Sequence, residues 1–310
     1  MPPSSSDTHM RYTTSKAPGI APSAPSVVAV VLNWNGSADT LRCLASLRST
    51  GLEALKIVVV DNASTDSSWE ELQEAAIADQ VMRSDINGGY GAGNNIGIRW
   101  ALEQGADYVW ILNNDTVVPA GVGAQLLEAA ESDATVGALG CTLVSIDNEA
   151  DIQLIGGGRV NWVFGTVRPM KRPGPVDYIS GACMFLRGEA LADVGLFDEC
   201  FFMYFEDVDL SVRLVDKGYR LSSVPGAVVQ HKGGASLEPT SVTAARHFNR
   251  SALRFFGKHA SVPIVPRTVG VVGRAAKQRL RGNVPAARAI MDVFREGSGH
   301  LLPCYKARDV

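Results

Sequence analysis

An α/β fold built on a largely parallel sheet follows from three features of the 310-residue chain. Short apolar runs rich in β-branched residues recur along it, as in Val27–Leu32, Ile57–Val60 and Tyr108–Leu112. Segments with apolar residues at helical spacing separate them, and that alternation reads as strand, crossover helix, parallel strand. The runs also end in amides or carboxylates, Asn33-Trp34-Asn35, Asp61-Asn62 and Asn113-Asn114-Asp115. In an open sheet of this kind ligands bind beyond the carboxyl ends of the strands, so these polar groups point to one shared site.

Each element follows from local pattern. Val27–Leu32 is a buried strand, and Ser37–Leu47 a helix with Leu41, Leu44 and Leu47 on one stripe. Ile57–Val60 is the second strand, Ser67–Ile77 its helix and Val81–Ser84 a short third strand. The glycine-rich run Asn87–Gly93 reads as a turn leading into a helix over Asn94–Gln104. Tyr108–Leu112 and a helix over Val122–Ala130 follow. Residues 137–187, broken by Gly156–Gly158 and by Pro169, Pro173 and Pro175, read as irregular strands and a loop over the site. A helix spans Glu206–Lys217, with Val208, Val212 and Val215 inward and Gly218 as its left-handed cap. Leu221–Val224 and Ala227–Gln230 are two last strands.

Composition divides the chain into a leader over residues 1–25, a catalytic domain over 26–238 and an extension over 239–310. The leader is rich in Ser, Pro, Thr and Ala, lacks an apolar core and reads as disordered. Between Pro239 and Met291 there are ten Lys or Arg residues and no acidic one. Arg246, Arg250, Arg254 and Lys258 recur every fourth residue among Phe248, Leu253, Phe255 and Phe256, the pattern of a basic amphipathic helix on a separate appendage. Such helices bind anionic bilayer surfaces, so this tail predicts peripheral contact with the inner face of the plasma membrane, against a solvated or dimer-forming helix. No stretch approaches the ~20 apolar residues of a membrane span. A net charge of -3 excludes strong generic attraction to nucleic acid. The five cysteines form no CxxC pair, and four of them fall in apolar or mixed segments, which fits reduced, buried thiols of a cytoplasmic protein.

The chemistry rests on side chains at strand and helix ends. Asp61 ends a β-branched strand where a ligand would lie, although Ser64, Thr65 and Asp66 beyond it suit a helix cap. Asp115 offers a carboxylate to Mg2+ or Mn2+, which take oxygen ligands from one or two carboxylates and substrate phosphates. His231, ending the last strand, can complete that metal shell or contact a diphosphate. Phe205-Glu206-Asp207-Val208-Asp209 crowds three acids into a helix's first turn, where the dipole favours negative charge. Asp209 can pair with Arg213 at i, i+4. Asp207 is the candidate general base, and Phe201, Phe202, Tyr204 and Phe205 form an aromatic wall that would keep it dry and basic.

The ordered set VVLNWNG, VVVDNASTD, NGGYGAGNNIGI, ILNNDTVV, SGACMFLR, GLFDECFFMYFEDVDLSVRL and VVQHKGG resembles the family 2 glycosyltransferases with a GT-A fold. The resemblance is strongest to the bacterial rhamnosyltransferase-like branch and covers roughly residues 27 to 260. It implies a nucleotide-diphosphate sugar donor, a divalent metal, inversion at the anomeric carbon and a hydroxyl acceptor on a glycan, a lipid-linked intermediate or a small molecule. It places Asp115 as the last acid of the DxD-like metal motif, with Asn113 and Asn114 in place of the other acid, so that metal binding leans on His231. It implies donor nucleotide contacts at Asn33, Asp61, Asn94 and Asn114, sugar or acceptor contacts at Trp34, Gly181 and Glu206, and Asp207 as catalytic base. Gly181 would leave space for the sugar or acceptor, and dTDP-L-rhamnose is the leading donor. Two other readings stand beside it. Gly91-x-Gly93-x-x-x-Gly97 imitates a dinucleotide fingerprint and would fit an NAD(P)-dependent oxidoreductase, but it follows the third strand rather than the first. A non-catalytic sugar-nucleotide binder would keep Asp61 and Asp115 and need no base.

Overall fold

The computed structural model describes residues 24–233, 241–297 and 304. The leader expected over residues 1–25 lies, up to residue 23, outside the described residues. The first half is β1 (Val27–Asn33), α1 (Ser37–Arg48), β2 (Leu55–Asp61), α2 (Ser68–Ala75), β3 (Gln80–Arg83), α3 (Tyr90–Glu103) and β4 (Tyr108–Asn113). Strands β3, β2, β1 and β4 are neighbours in that order and parallel, with Asn33 opposite Asp61 and Leu32 opposite Asn113. The strand-end polar residues are therefore brought side by side by register alone.

The second half is β5 (Thr116–Val117), α4 (Val122–Ser132), β6 (Val136–Ser145), β7 (Ile152–Ile155), β8 (Gly157–Asn161), β9 (Thr166–Pro169), β10 (Tyr178–Ile179), β11 (Cys183–Arg187), α5 (Gly188–Val194), α6 (Glu206–Asp216) and β12 (Arg220–His231). The main sheet runs β3-β2-β1-β4-β11-β6-β12-β5 with β7 beside β6, and β10-β8-β9 form a small second sheet. Residues 137–187 are thus more regular than their glycines and prolines predict, and β11 is a central strand paired antiparallel to both β4 and β6. The two last strand candidates are one long strand, its register shifted between Val224 and Val228. Pro225 and Gly226 occupy that irregularity, where a missing N–H costs no ladder bond.

Alternation along β1 divides the core into two layers. Val27, Ala29 and Val31 pack with Leu44, Leu47, Leu72 and Leu126 beneath α1, α2 and α4. Val28 and Val30 pack with Ile98, Ala101, Leu191, Leu210 and Leu214 beneath α3, α5 and α6. On α6 Val208 is buried and Val212 partly so, but Val215 is 50% exposed, because the inward stripe is completed by Leu210 and Leu214.

Further along the chain lie α7 (Val242–His259), α8 (Ile264–Leu280) and α9 (Val284–Glu296). They do not form a separate appendage. Ala252, Phe255 and Phe256 of α7 join Tyr178, Phe201, Phe205 and Val208 in one apolar cluster. The basic stripe is largely spent within the fold. Lys258 Nζ lies 2.9 Å from Asp198 and 2.7 Å from Asp209, Arg254 is 3.7 Å from Asp198, and Arg246 and Arg250 face Glu296. The expectation of reduced thiols with no disulfide framework is also corrected. Cys200 and Cys304 form a disulfide across a separation of 104 residues, while Cys43, Cys141 and Cys183 are free and buried. Spacing could not show this pair, since no motif joins residues so far apart.

Candidate active site

A cavity of about 1150 Å3 opens at the carboxyl ends of β1 and β4 and continues between α6 and the C-terminal helices. Asp115 and Asp207 both line it, together with Trp34, Asn114, Gly181 and Glu206. Asn62, Asn87, Tyr90 and Ser180 complete that part of the wall.

The structure does not bring Asn33, Asp61 or Asn94 to the cavity wall. Asn33 Nδ2 donates to Asp61 Oδ1 (2.9 Å) and to Ser64 Oγ (3.1 Å), and Thr40 Oγ1 donates to Asn33 Oδ1 (2.8 Å). Asp61 also accepts from the Ser64 N–H and lies 3.5 Å from Arg83 Nε. The pair is fully buried and joins the ends of β1 and β2, so the side chain next along, Asn62, reaches the cavity instead. Asn94 Nδ2 donates to Tyr90 O (2.9 Å), and its Oδ1 is buried without a partner. Helix α3 starts at Tyr90, not Asn94, which puts the glycines inside it. A Cβ at Gly93 would sit 2.5 Å from Leu32 Cδ1 and one at Gly97 2.5 Å from Val30 Cγ1. These glycines allow the helix to lie close on the sheet.

Asp207 is aimed by its surroundings. Tyr204 and Phe205 both take positive φ (70° and 68°), a costly conformation for bulky residues that turns the chain into α6. The Gly181 N–H donates to Asp207 Oδ2 (2.9 Å), and the Val208 N–H donates to Oδ1 (2.8 Å). Tyr90 Oη donates to Gly181 O (2.7 Å) and so steadies the loop that carries this N–H. A Cβ at Gly181 would touch Tyr90 and the Asp207 side chain at 3.3–3.5 Å. Gly181 therefore serves close packing against the acid more than open space for a sugar. The aromatic wall divides: Phe202 and Tyr204 line the cavity, while Phe201 and Phe205 sit in the core with α7. Burial raises the Asp207 carboxyl above the usual carboxylate range despite its two N–H donors. Burial, followed by the charge of Asp207, raises Glu206 still further, and Glu206 Oε2 has no hydrogen-bond partner. Two N–H groups thus favour the ionised form of Asp207, while no donor does so for Glu206 Oε2.

Asp115 and His231 meet because β12 pairs with β5, setting His231 opposite Thr116. His231 Nε2 is 3.2 Å from Asp115 Oδ1, and the Gly233 N–H donates to Asp115 Oδ2 (3.1 Å). Burial alone would raise Asp115, but the His231 hydrogen bond and charge outweigh it and hold the carboxyl below its ordinary range. Gln153 Nε2 donates to His231 O (2.9 Å), which turns Gln153 Oε1 toward Nδ1 at 2.7 Å. Nδ1 then carries a hydrogen, and Nε2 lies 3.2 Å from both Asn113 Nδ2 and Asp115 Oδ1. An imidazole nitrogen and a carboxylate this close suit a positive charge between them, whether a proton on Nε2 or a cation. Among the described residues no three His, Cys, Asp or Glu side chains gather as a cation cage. A corner of one carboxylate and one imidazole fits a hard cation that takes its remaining ligands from substrate phosphates and water. Sequence reasoning missed Gln153, Tyr90 and Asn62. Asn62 and Tyr90 lay within motifs singled out for Asp61 and for glycine; Gln153 carried no local signal.

Residues 26–195 match the family model for glycosyl transferase family 2. The N-acetylglucosaminyl-diphospho-decaprenol L-rhamnosyltransferase of Mycobacterium tuberculosis (strain ATCC 25618 / H37Rv) is 31% identical over 246 residues, covering 70% of this chain and 80% of that protein. The rhamnosyltransferase WbbL of Escherichia coli (strain K12) is 26% identical over 252 residues, covering 75% and 88%. Among solved structures, the mannosyltransferase PcManGT from Pyrobaculum calidifontis, in complex with GDP-Man and Mn2+, superposes with a TM-score of 0.57 at 18% identity over 91% of this chain and 78% of that one. GalNAc-T7 with UDP, GalNAc and Mn2+ gives 0.63 at 16% identity over 90% and 59%. The chain belongs to glycosyl transferase family 2, has the GT-A fold and is a glycosyltransferase. The oxidoreductase and non-catalytic readings give way to that membership.

Proposed function

We propose that this enzyme transfers L-rhamnose, with inversion, from a nucleotide-diphosphate donor to a hydroxyl of a lipid-diphosphate-linked acceptor, with the help of a divalent cation. One observation carries the reading: Asp115, with His231 against it, and the dry Asp207 carboxylate line the same cavity, although His231 itself does not. The sugar rests on the two rhamnosyltransferase relatives and the acceptor class on the Mycobacterium tuberculosis one alone.

Trp34, Asn62 and Asn114 border the donor side, and the buried Asn33–Asp61 pair fixes the strand ends that present them. Asn94, packed behind Tyr90, holds the first turn of α3. Asp115 and His231 would hold Mg2+ or Mn2+, which when bound neutralises charge on the departing diphosphate. On the opposite wall Asp207 receives the acceptor proton as the acceptor oxygen attacks the sugar carbon away from the leaving group. The N–H groups of Gly181 and Val208 keep its oxygens oriented, and Phe202 and Tyr204 exclude water. Holding both substrates in that geometry provides much of the acceleration.

Nucleotide release from dTDP-L-rhamnose and UDP-hexoses, with and without acceptor, tests the reading. The rhamnosyl donor should turn over fastest, EDTA should abolish turnover, and Mn2+ or Mg2+ should restore it. Full turnover in chelator would remove the cation from Asp115, and a preference for UDP-hexoses would replace the sugar.

The enzyme is further proposed to work at the inner face of the plasma membrane. No described helix is long and apolar enough to cross a bilayer. Val265, Val269, Val272 and Leu280 form one exposed stripe along α8, with Arg279 beside it. Because α7 is part of the core, deletion of residues 239–310 would confound the test. Val272→Glu with Leu280→Glu in the full chain should instead reduce sedimentation with anionic vesicles, and equal sedimentation would retire the membrane contact.

A further inference from the structure

The cavity has a second, oppositely charged end. Past Asp207 it runs between α7 and α8, where Arg246, Arg250, Arg274, Lys277 and Arg281 line it against a single acid, Glu296. Glu296 faces Arg246 at 3.8 Å and Arg250 at 3.6 Å. Arg274 sits deeper. Its Nε donates to Asn249 Oδ1 (2.7 Å), its Nη1 donates to Gly165 O (2.6 Å), and its guanidinium lies 5.6 Å from the Phe248 ring centre. These partners are neutral, and burial pulls the Arg274 pKa down to about 10. Lys277 and Arg281 stand three and seven residues further along the same helix, which keeps all three on one side. Among the described residues neither Lys277 nor Arg281 pairs with a carboxylate. The exposed stripe of Val265, Val269, Val272 and Leu280 lies on the opposite side of α8.

Arg274 is a partly buried cation with neutral partners only, which is costly, and several cations along one pocket repel one another. The donor diphosphate does not resolve this imbalance. It belongs at the other end, where Asp115 would repel a bare phosphate and requires a cation between them.

We propose that this basic arm, formed by Arg274, Lys277 and Arg281 with Arg246 and Arg250, is the subsite for the diphosphate of the acceptor, bound directly by side-chain cations. The inference rests on the glycosyltransferase reading above and adds where the acceptor is gripped. It gives the cleft two anion sites of different chemistry, one needing a divalent cation and one needing none, with Asp207 between them.

Two arms test it with the whole chain. In EDTA, which silences the donor end, titration with farnesyl diphosphate should show binding that Lys277→Gln with Arg281→Gln weakens roughly tenfold or more, the scale of lost charge-assisted hydrogen bonds. Inorganic pyrophosphate should compete and farnesol should not. Both substituted residues are exposed, so folding should be unaffected, and a melting curve checks that. In the transfer assay the double variant should raise KM for an isoprenyl-diphosphate sugar acceptor by a similar factor. KM for an octyl glycoside of the same sugar, and the rate of donor hydrolysis, should stay constant. Unchanged farnesyl diphosphate binding, equal loss on both acceptors, or equal competition by phosphatidylglycerol would overturn the subsite. Failure of the wild-type protein to turn over any nucleotide sugar would instead break the proposed function, while the binding arm still decides the subsite.

Discussion

Asp207 and Asp209 share the first turn of α6, yet the helix delivers them to opposite environments. At about 100° per residue, two positions apart means nearly opposite faces. Asp207 looks into the cavity, where two backbone N–H groups meet it and no cation does. Asp209 looks toward α7 and is fully buried among Arg213 (2.8 Å), Lys258 (2.7 Å) and His259 (2.7 Å). Burial would raise Asp209 as it raises Asp207, but the His259 hydrogen bond and the Arg213 and Lys258 charges reverse the sign and hold it far below the usual range. The same residue type is thus the proposed base at one position and a clasp between the catalytic core and the C-terminal helices at the other. Partners, not burial, decide which.

The comparison breaks most sharply at Asp207. Asp207→Asn should lower transfer by ~10²–10⁴-fold, the usual worth of a positioned base, while nucleotide binding persists. It should also raise the melting temperature at neutral pH. A carboxylate whose folded pKa is raised by burial contributes stability below its unfolded pKa and loses it as pH rises through the folded one. A neutral amide avoids that cost. Turnover equal to wild type would remove Asp207 from the chemistry.

Asp209→Ala should behave in reverse, losing about 1–3 kcal/mol in urea unfolding because it removes the carboxylate shared by Arg213, Lys258 and His259. Here the folded pKa is depressed, so the stability is present above the unfolded value of about 3.9 and disappears as pH falls through the folded one. The variant should therefore show a flatter stability curve in acid than wild type. Identical curves would mean that the clasp contributes nothing.

A smaller effect is expected where a neutral residue tunes a charged one. Gln153→Leu releases the His231 tautomer and should weaken Mn2+ activation by ~10–100-fold, the scale of lost outer-shell support, read as the half-saturating Mn2+ concentration. An unchanged value would leave His231 outside the cation site. The mildest test is the pH profile. Because Asp207 must be ionised and its pKa is raised, activity should fall on the acid side at a pH above the ordinary carboxylate range; a limb near the free aspartate value would contradict a dry base.

Much of the fold and part of the site are legible in the amino-acid sequence. Strand runs, crossover helices and the polar residues that end each strand are local patterns, and Asp115, Glu206, Asp207 and Trp34 all line one cavity. Asp61 shows the limit. A carboxylate at a strand end can face the ligand or the next strand, and the parallel register that sets it opposite Asn33 turns it inward. The glycines of α3 show another, since local sequence does not say whether a missing Cβ admits a phosphate or a sheet.

By itself, then, the amino-acid order determined the α/β class, the family, the order of strands and helices and the residue types available for chemistry. These depend on periodicity and on short-range preference. Only the tertiary structure decided that α7 belongs to the core, that Cys200 meets Cys304, that Gln153 sets His231, and that Asp207 and Asp209 part company. Each of those facts is a contact between segments distant in the chain. Such contacts follow from register and packing, which no local stretch encodes.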